Sequence, residues 1–163
     1  MIMKILTYPD PLLRHISGPV EKVDETVLQL IEDMADAMYQ DDGVGLAAPQ
    51  IGVSKRVIVM DAGAGFKALI NPEILTKSRE TEAVEEGCLS LPAIRLDVTR
   101  PVEISVRALT SQGQEMEFQA KGLHARVIQH EVDHLNGVLI IDHAGPIQNT
   151  LIHSKLKKLE RTV

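Results

Sequence analysis

The segment HEVDH, residues 130–134, combines two imidazoles and a carboxylate at a spacing suited to metal chemistry. In a helix, His130 and His134 stand one turn apart on the same face, so both rings can reach one metal ion. Glu131 is displaced by about 100° around the helix axis, from where its carboxylate can serve a metal-activated water as general base. The segment therefore predicts a metal-dependent hydrolase. The alternative is a surface helix on which polar residues fell at this spacing by chance.

The third metal ligand does not follow from this segment. The zinc-protease pattern H-E-x-x-H-x-x-G-x-x-H is matched through Gly137, but Ile140 stands where the third His is required. Glu160 lies close to the C-terminus, where chains are often loosely held, and His143 lies three residues beyond the expected position. Cys88 would complete a three-ligand set that leaves room for water, although most lone cysteines are small buried apolar residues. From the residues alone, these alternatives stay open.

Composition narrows the class of protein. A chain of 163 residues, 44% of them apolar and 25% charged, predicts one soluble globular domain spanning residues 1–163. Aromatic residues make up only 2%, so the core must be aliphatic. The net charge of −6 argues against a DNA partner, which would need clustered Lys and Arg.

Other features of the chain predict its compartment. The single cysteine excludes an intramolecular disulfide. The opening MIMKILTYPDPLLR has no apolar core of the signal-peptide kind, and no apolar run approaches membrane-spanning length. We therefore expect a reduced, cytoplasmic protein with no membrane partner.

Apolar periodicity predicts the elements that must position the HEVDH segment. Asp24 is a candidate N-cap for a first amphipathic helix, and Gly and Pro residues after it end that helix. The order of elements predicts an α+β fold, with mixed or antiparallel sheets around a central helix that carries HEVDH. The predicted helices are 25–39, one from 122 to about 136, and 147–160; the predicted strands are 56–60, 67–72, 102–109 and 115–120.

Three segments together resemble the motifs of the peptide deformylase family. They are GVGLAAPQIG (43–52), EGCLSLP (86–92) and QHEVDHLNGVL (129–139), in the family's order and spacing, and the resemblance extends along essentially the whole chain. It implies hydrolysis of the N-formyl group from the initiator methionine of new polypeptides, with release of formate. It also implies that Cys88, His130 and His134 bind one divalent metal ion, Fe(2+) in the family, which Ni, Co or Zn can replace.

The resemblance also implies roles for other residues. Glu131 would take a proton from water and pass it to the departing amine, while the Gln50 side-chain amide and the Leu89 backbone N–H would donate to the formyl oxygen. Glu86 and Arg100 would form a buried ion pair. The residues expected at the substrate are Gly43, Val44, Gly45, Val84, Gly87, Arg95, Leu123 and Val127. Ordinary core packing is the alternative for the apolar ones.

The implied partners are N-formylmethionyl nascent peptides, and we expect a monomer. The basic C-terminal helix, with Lys155, Lys157 and Lys158, fits a solvated face and a transient ribosome contact equally well. Ala93 stands where many family members carry Gly or Glu, which leaves fine substrate preference open. Two rival functions are a zinc endopeptidase with His143 or Glu160 as ligand, and a non-catalytic module that binds formylated N-termini.

Overall fold

The computed structural model describes residues 3–161. Within this range three α-helices surround seven β-strands, and short 3-10 turns occur at Pro11–Arg14, Ala48–Ile51 and Ile140–His143. The helices are α1 (Glu25–Gln40), α2 (Gly122–Leu135) and α3 (Pro146–Arg161). The strands are β1 (Gly45–Ala47), β2 (Val57–Met60), β3 (Lys67–Lys77), β4 (Thr81–Cys88), β5 (Leu91–Pro101), β6 (Glu103–Leu109) and β7 (Glu115–Lys121).

The strands form two separate sheets, and every strand pair is antiparallel. Five strands lie in the order β1-β2-β3-β6-β7, whereas β4 and β5 form a two-stranded hairpin of their own. The hairpin register pairs Glu86 with Leu96 and Gly87 with Arg95, then shifts so that Cys88 faces Leu91. Cys88 therefore lies at the tight end of an element that shares no backbone ladder with the larger sheet.

Helices cover both faces of the larger sheet, and alternation along β2 explains how. Val57 and Val59 belong to the core cluster of α1, whereas Ile58 and Met60 belong to the cluster of α2. Successive side chains of a strand point to opposite faces, so this fully buried strand separates two apolar layers. The helix that carries HEVDH is consequently central.

A third apolar cluster fixes the hairpin and the last helix. It contains the inward residues of β5, among them Ile94, Leu96 and Val98, together with Leu139 and with Ile152 of α3. No helix within residues 3–161 is long and apolar enough to cross a membrane.

The α+β prediction is confirmed, and the predicted helices match α1, α2 and α3 to within one or two residues. Asp24 is the N-cap of α1, because its carboxylate accepts a hydrogen bond from the backbone N–H of Val27 at 3.2 Å. The sequence prediction missed the hairpin: no strand was expected over 81–101, where charged residues interrupt the alternation of β4.

Candidate active site

Two elements bring the predicted metal ligands together. Cys88 ends β4, while His130 and His134 lie one turn apart on α2. The candidate ligand atoms of these three residues lie within 4.8 Å of one another, and the Cys88 Sγ is 3.3 Å from Nε2 of His134. Within the part of the chain that the structure describes, this is the one group of three or more such side chains.

The chemistry of this donor set fits a divalent transition metal. His134 is 1% exposed, and its Nδ1 has no hydrogen-bond partner among the described residues. Burial holds the pKa of His134 well below its usual range, so the imidazole stays neutral, which is the form that binds metals. A thiolate with two imidazoles suits Fe, Co, Ni or Zn and leaves a coordination position open.

A buried carboxylate orients the other imidazole. Oε1 of Glu86 lies 2.8 Å from Nδ1 of His130, and Arg100 approaches the same carboxylate through Nε at 2.6 Å and Nη2 at 3.0 Å. Burial by itself would raise the pKa of Glu86, but hydrogen bonds from His130 and Arg100 hold that pKa well below its usual range. An ionised Glu86 accepts a hydrogen bond from Nδ1–H and leaves Nε2 of His130 free to bind a metal. The expected Glu86–Arg100 ion pair is present.

Glu131 lies buried beside the three-ligand cluster. It is 5% exposed, and its Oε1 has no hydrogen-bond partner among the described residues. Burial raises the pKa of Glu131 to about 7, against the lowering effect of His130 and Arg100. A carboxyl group that titrates near neutrality can both take and release a proton.

The side-chain amide of Gln50 is held in one orientation. Its Oε1 accepts a hydrogen bond from the backbone N–H of Ala47 at 2.9 Å, which identifies the opposite end as the NH₂ group. That NH₂ donates to Oγ of Ser90 at 3.0 Å and lies 3.8 Å from Sγ of Cys88. Gln50 thus points a donor at the cluster, and Ser90 is a site residue that the sequence did not predict.

An open cavity of about 730 Å³ leads to these groups. Every predicted site residue except His134 lines it, and His134 lies deeper in the protein. Val44, Val84 and Leu123 are 48%, 38% and 54% exposed at this cavity, so core packing does not account for them. Val127 is different, because it is buried in the core that α2 forms with the larger sheet.

Arg95 covers the hairpin at the mouth of the cavity. Its Nε donates to Oε1 of Glu85 at 2.7 Å. A Cβ on Gly87 would stand only 2.7 Å from Nη1 of Arg95, so glycine allows the guanidinium to lie against the strand.

The two alternative third ligands lie outside the cluster. His143 Nε2 is 3.0 Å from Oδ2 of Asp133, and the Glu160 carboxylate accepts a hydrogen bond from the Tyr8 hydroxyl at 2.9 Å. The sequence analysis also missed Arg126, which donates to Glu86 at 2.6 Å. Its position four residues before His130, on the same face of the helix, could have indicated in the sequence that it lies near the site.

A thiol, two imidazoles and a buried carboxylate at one open cavity define the class of metal-dependent hydrolases. The family model for polypeptide deformylases matches residues 2–150. The chain belongs to the peptide deformylase family, whose members remove the N-formyl group from new polypeptides.

Relatives match nearly the whole chain. It is similar to the peptide deformylase of Thermotoga maritima, with 49% identity over 160 residues that cover 98% of each chain. It is also similar to peptide deformylase 1 of Burkholderia multivorans, with 44% identity covering 99% of this chain and 91% of that one.

Solved structures agree with this assignment. The crystal structure of the Thermotoga maritima deformylase gives a TM-score of 0.88 at 50% identity, covering 90% of this chain and 99% of that chain. A Plasmodium falciparum deformylase complex with inhibitor gives 0.92 at 39% identity, covering 97% and 99%. The expected family, fold class and deformylase activity are confirmed, and the protein is an enzyme that acts on N-formylmethionyl peptides.

Proposed function

We propose that the protein deformylates nascent peptides as a single catalytic domain over residues 1–163, with one metal ion bound by Cys88, His130 and His134. The observation that carries this proposal is the buried carboxylate of Glu131 at the same cavity as the candidate ligands Cys88 and His130, with an Oε1 that has no hydrogen-bond partner among the described residues. When bound, the metal would lower the pKa of a water molecule to about 7. Fe(2+) is proposed on the family resemblance, since the donor set accepts Ni, Co or Zn as well.

Glu131 is the proposed general base and acid. Its pKa of about 7 lets it accept the proton of the attacking water and then return that proton to the departing amine. The backbone of Gly45 excludes bulk water from one side of the carboxylate, because even a Cβ at Gly45 would stand only 2.7 Å from Oε2 of Glu131. The same closeness restricts Glu131 to a narrow range of positions.

Two donors are proposed to stabilise the charge that develops on the formyl oxygen. One is the Gln50 amide, which the Ala47 N–H and the Ser90 hydroxyl already hold in place. The other is the backbone N–H of Leu89, next to Cys88 at the cavity. Donors fixed before the reaction need no reorganisation when the charge appears, and losing one typically costs about 10²–10³ in rate.

The substrate is proposed to lie along the cavity as an extended strand. Gly43 and Gly45 on one wall and Gly87 on the other permit close approach of a peptide backbone. Exposed Val44, Val84 and Leu123, with Val127 deeper, would contact the methionine side chain. Arg95, at the mouth, would meet later residues of the peptide.

The remaining proposals concern the surroundings of the protein. We propose a cytoplasmic monomer that meets its substrate on or near the ribosome. Of the basic residues on α3, Lys155 donates to the Ala93 carbonyl at 3.0 Å and Lys157 pairs with Glu160 at 3.3 Å. A ribosome contact would therefore rely on Lys158 and on the exposed Arg161, and unchanged co-sedimentation with ribosomes after Lys158→Glu combined with Arg161→Glu would count against it.

The test of the function is formate release from a formyl-Met tripeptide. Protein purified without oxygen is loaded in parallel with Fe(2+), Ni and Zn, and Glu131→Gln is the matched control, since it keeps size while removing the base. Turnover that requires the metal and Glu131 is expected. Metal binding without turnover would favour the binding-module alternative, and turnover unaffected by Glu131→Gln would overturn the proposed mechanism.

A further inference from the structure

We infer that Arg126 is a positioning residue that holds the β4–β5 hairpin against α2, so that the Cys88 thiol stays within reach of both imidazoles. The inference rests on the proposed ligand set, but it assigns a role to a residue outside that set. Arg126 is buried at 9% exposure, and the proposed reaction steps do not use it.

The need for such a residue follows from the sheet topology. Cys88 belongs to the two-stranded hairpin, whereas His130 and His134 belong to a helix packed on the five-stranded sheet. Within the described chain, no backbone ladder joins the hairpin to that larger sheet. The distance between the thiol and the imidazoles therefore depends on contacts outside the sheets, among them the backbone bond from Tyr8 to Ser90 and the side-chain contacts between α2 and the hairpin.

Arg126 makes three such contacts with one guanidinium. Its Nη1 donates to Oε2 of Glu86 at 2.6 Å and to the backbone carbonyl of Val98 at 2.8 Å, and its Nη2 donates to the carbonyl of Glu82 at 2.7 Å. Glu82 and Glu86 lie on β4, while Val98 lies on β5. One side chain of α2 is thus hydrogen-bonded to both strands of the hairpin, and two of its three bonds are to backbone carbonyls.

The position of Arg126 places these bonds close to the ligands. It lies four residues before His130, hence on the same face of α2 one turn away. Glu86, which it contacts, is two residues before Cys88 and bonds to His130. A shift of the hairpin at Arg126 would therefore be passed on to the thiol.

Other side-chain bonds also join α2 to the hairpin, but those of Arg100 and Gln129 do not reach the backbone of β4. Arg100 lies on β5 and reaches Asp133 of α2 at 3.0 Å, and Gln129 donates to the Pro101 carbonyl at 3.0 Å. Pro101 is at the far end of β5 from the Cys88 turn. Among these residues, only Arg126 also holds backbone of β4, the strand that carries the thiol. A lysine cannot reproduce the bonds, because its ammonium lacks the planar fork of a guanidinium.

The test compares Arg126→Met with Arg56→Met. Arg56 also donates three bonds to α2 and its surroundings, to the carbonyls of Ser17 and Leu135 and to the side chain of Asn136, but it does not touch the hairpin. Both substitutions should lower the unfolding midpoint of the metal-free protein. Each variant, with wild type and Arg126→Lys, is loaded with Co(II), and metal release to a chelator is timed. The thiolate-to-cobalt absorption band reports separately on the bond to Cys88.

Arg126→Met should release cobalt at least about tenfold faster than wild type, with a weakened thiolate band, since substitutions behind metal ligands typically cost 10–100-fold in affinity. Arg126→Lys should release cobalt at a rate between those of wild type and Arg126→Met. Arg56→Met should release cobalt within about twofold of wild type and keep the wild-type thiolate band. Release by Arg126→Met no faster than by Arg56→Met would overturn the inference.

The same experiment separates this inference from the proposed function. Wild type that binds cobalt without a thiolate band would overturn the proposed ligand set and, with it, the role of Arg126. If wild type shows a normal thiolate band and Arg126→Met matches it in both that band and the rate of cobalt release, only the inference about Arg126 is overturned. If Arg126→Met does not fold, Arg126→Lys carries the test by the same comparison with Arg56→Met.

Discussion

The backbone of Gly45 lies directly against the carboxylate of Glu131. A Cβ placed on Gly45 would stand 2.7 Å from Oε2 of Glu131 and 2.8 Å from Cγ1 of Val127. Real Cβ atoms essentially never come this close to another heavy atom, so a larger residue than glycine at this position would force Glu131 or Val127 to shift. Strand β1 therefore helps to fix the position of the Glu131 carboxylate, which is the proposed proton acceptor.

We predict that Gly45→Ala lowers kcat for deformylation by about 10–100-fold, because general-base catalysis contributes 10²–10⁴-fold and a displaced base loses part of it. Metal content should be unchanged, since Glu131 is not a proposed ligand. Formate release and metal analysis on the same samples check both expectations.

Gly145→Ala is the control for that substitution. A Cβ at Gly145 meets nothing within 4 Å, so kcat should stay near the wild-type value. Equal kcat for both variants would contradict the proposed link between Gly45 and the base.

A second prediction concerns Gln50 and its support. Gln50→Ala should reduce kcat by about 10²–10³, the usual result of removing one oxyanion donor, with metal binding retained. Ser90→Ala should have a smaller effect of the same kind, because the Ala47 N–H still holds Oε1 of Gln50. Steady-state kinetics on the formyl-Met tripeptide measure both; a Ser90→Ala effect larger than that of Gln50→Ala would show that Ser90 acts in another way.

The helices and the candidate metal ligands could be predicted from the sequence for physical reasons. The helices carry strong 3.6-residue periodicity and capping signals such as Asp24, and the metal residues lie in dense motifs whose types are rarely used for packing. The resemblance then supplied Cys88, which the spacing alone left undecided between three alternatives.

The missed features are those that depend on tertiary contact. Strand β4 is exposed over its first five residues and carries charges at Glu82, Glu85 and Glu86, so its sequence gives little strand signal. In the sequence, Arg126 cannot be distinguished from an ordinary exposed helix residue, because its acceptors come from the hairpin that packs onto α2. Ser90 gains its role only because the fold brings Gln50 against it.

A third prediction concerns Ala93, which adopts a left-handed backbone conformation with φ of 65°. A residue with a Cβ pays about 1–2 kcal/mol for this conformation, and glycine avoids it while losing about 0.4–1 kcal/mol through the unfolded state. Ala93→Gly should therefore raise the free energy of unfolding by roughly 0.5–1 kcal/mol, measured by denaturant titration of the metal-loaded protein.

Ala83→Gly is the matched control, because Ala83 lies within β4 at negative φ and away from the cavity. It should lower the free energy of unfolding by about 0.5–1 kcal/mol. If Ala93→Gly also lowered it, the conformational entropy that glycine adds to the unfolded chain would outweigh the relief of backbone strain.

The last prediction separates the proposed third ligand from its alternative. Metal at 100 times its dissociation constant should stabilise wild type by about 2.7 kcal/mol over the metal-free protein, because only the folded chain holds the ligands together. Cys88→Ala should lose this increment, whereas His143→Ala should keep it, since the His143 ring bonds to Asp133 instead of facing the cluster. Chemical unfolding of each protein with metal and with chelator gives the increment directly. Because His143→Ala also removes a partner of Asp133, each variant with metal is compared with the same variant in chelator. An increment lost in His143→Ala and kept in Cys88→Ala would transfer the third ligand from the hairpin to the segment after α2, and the reaction would then have to be sought among zinc endopeptidases.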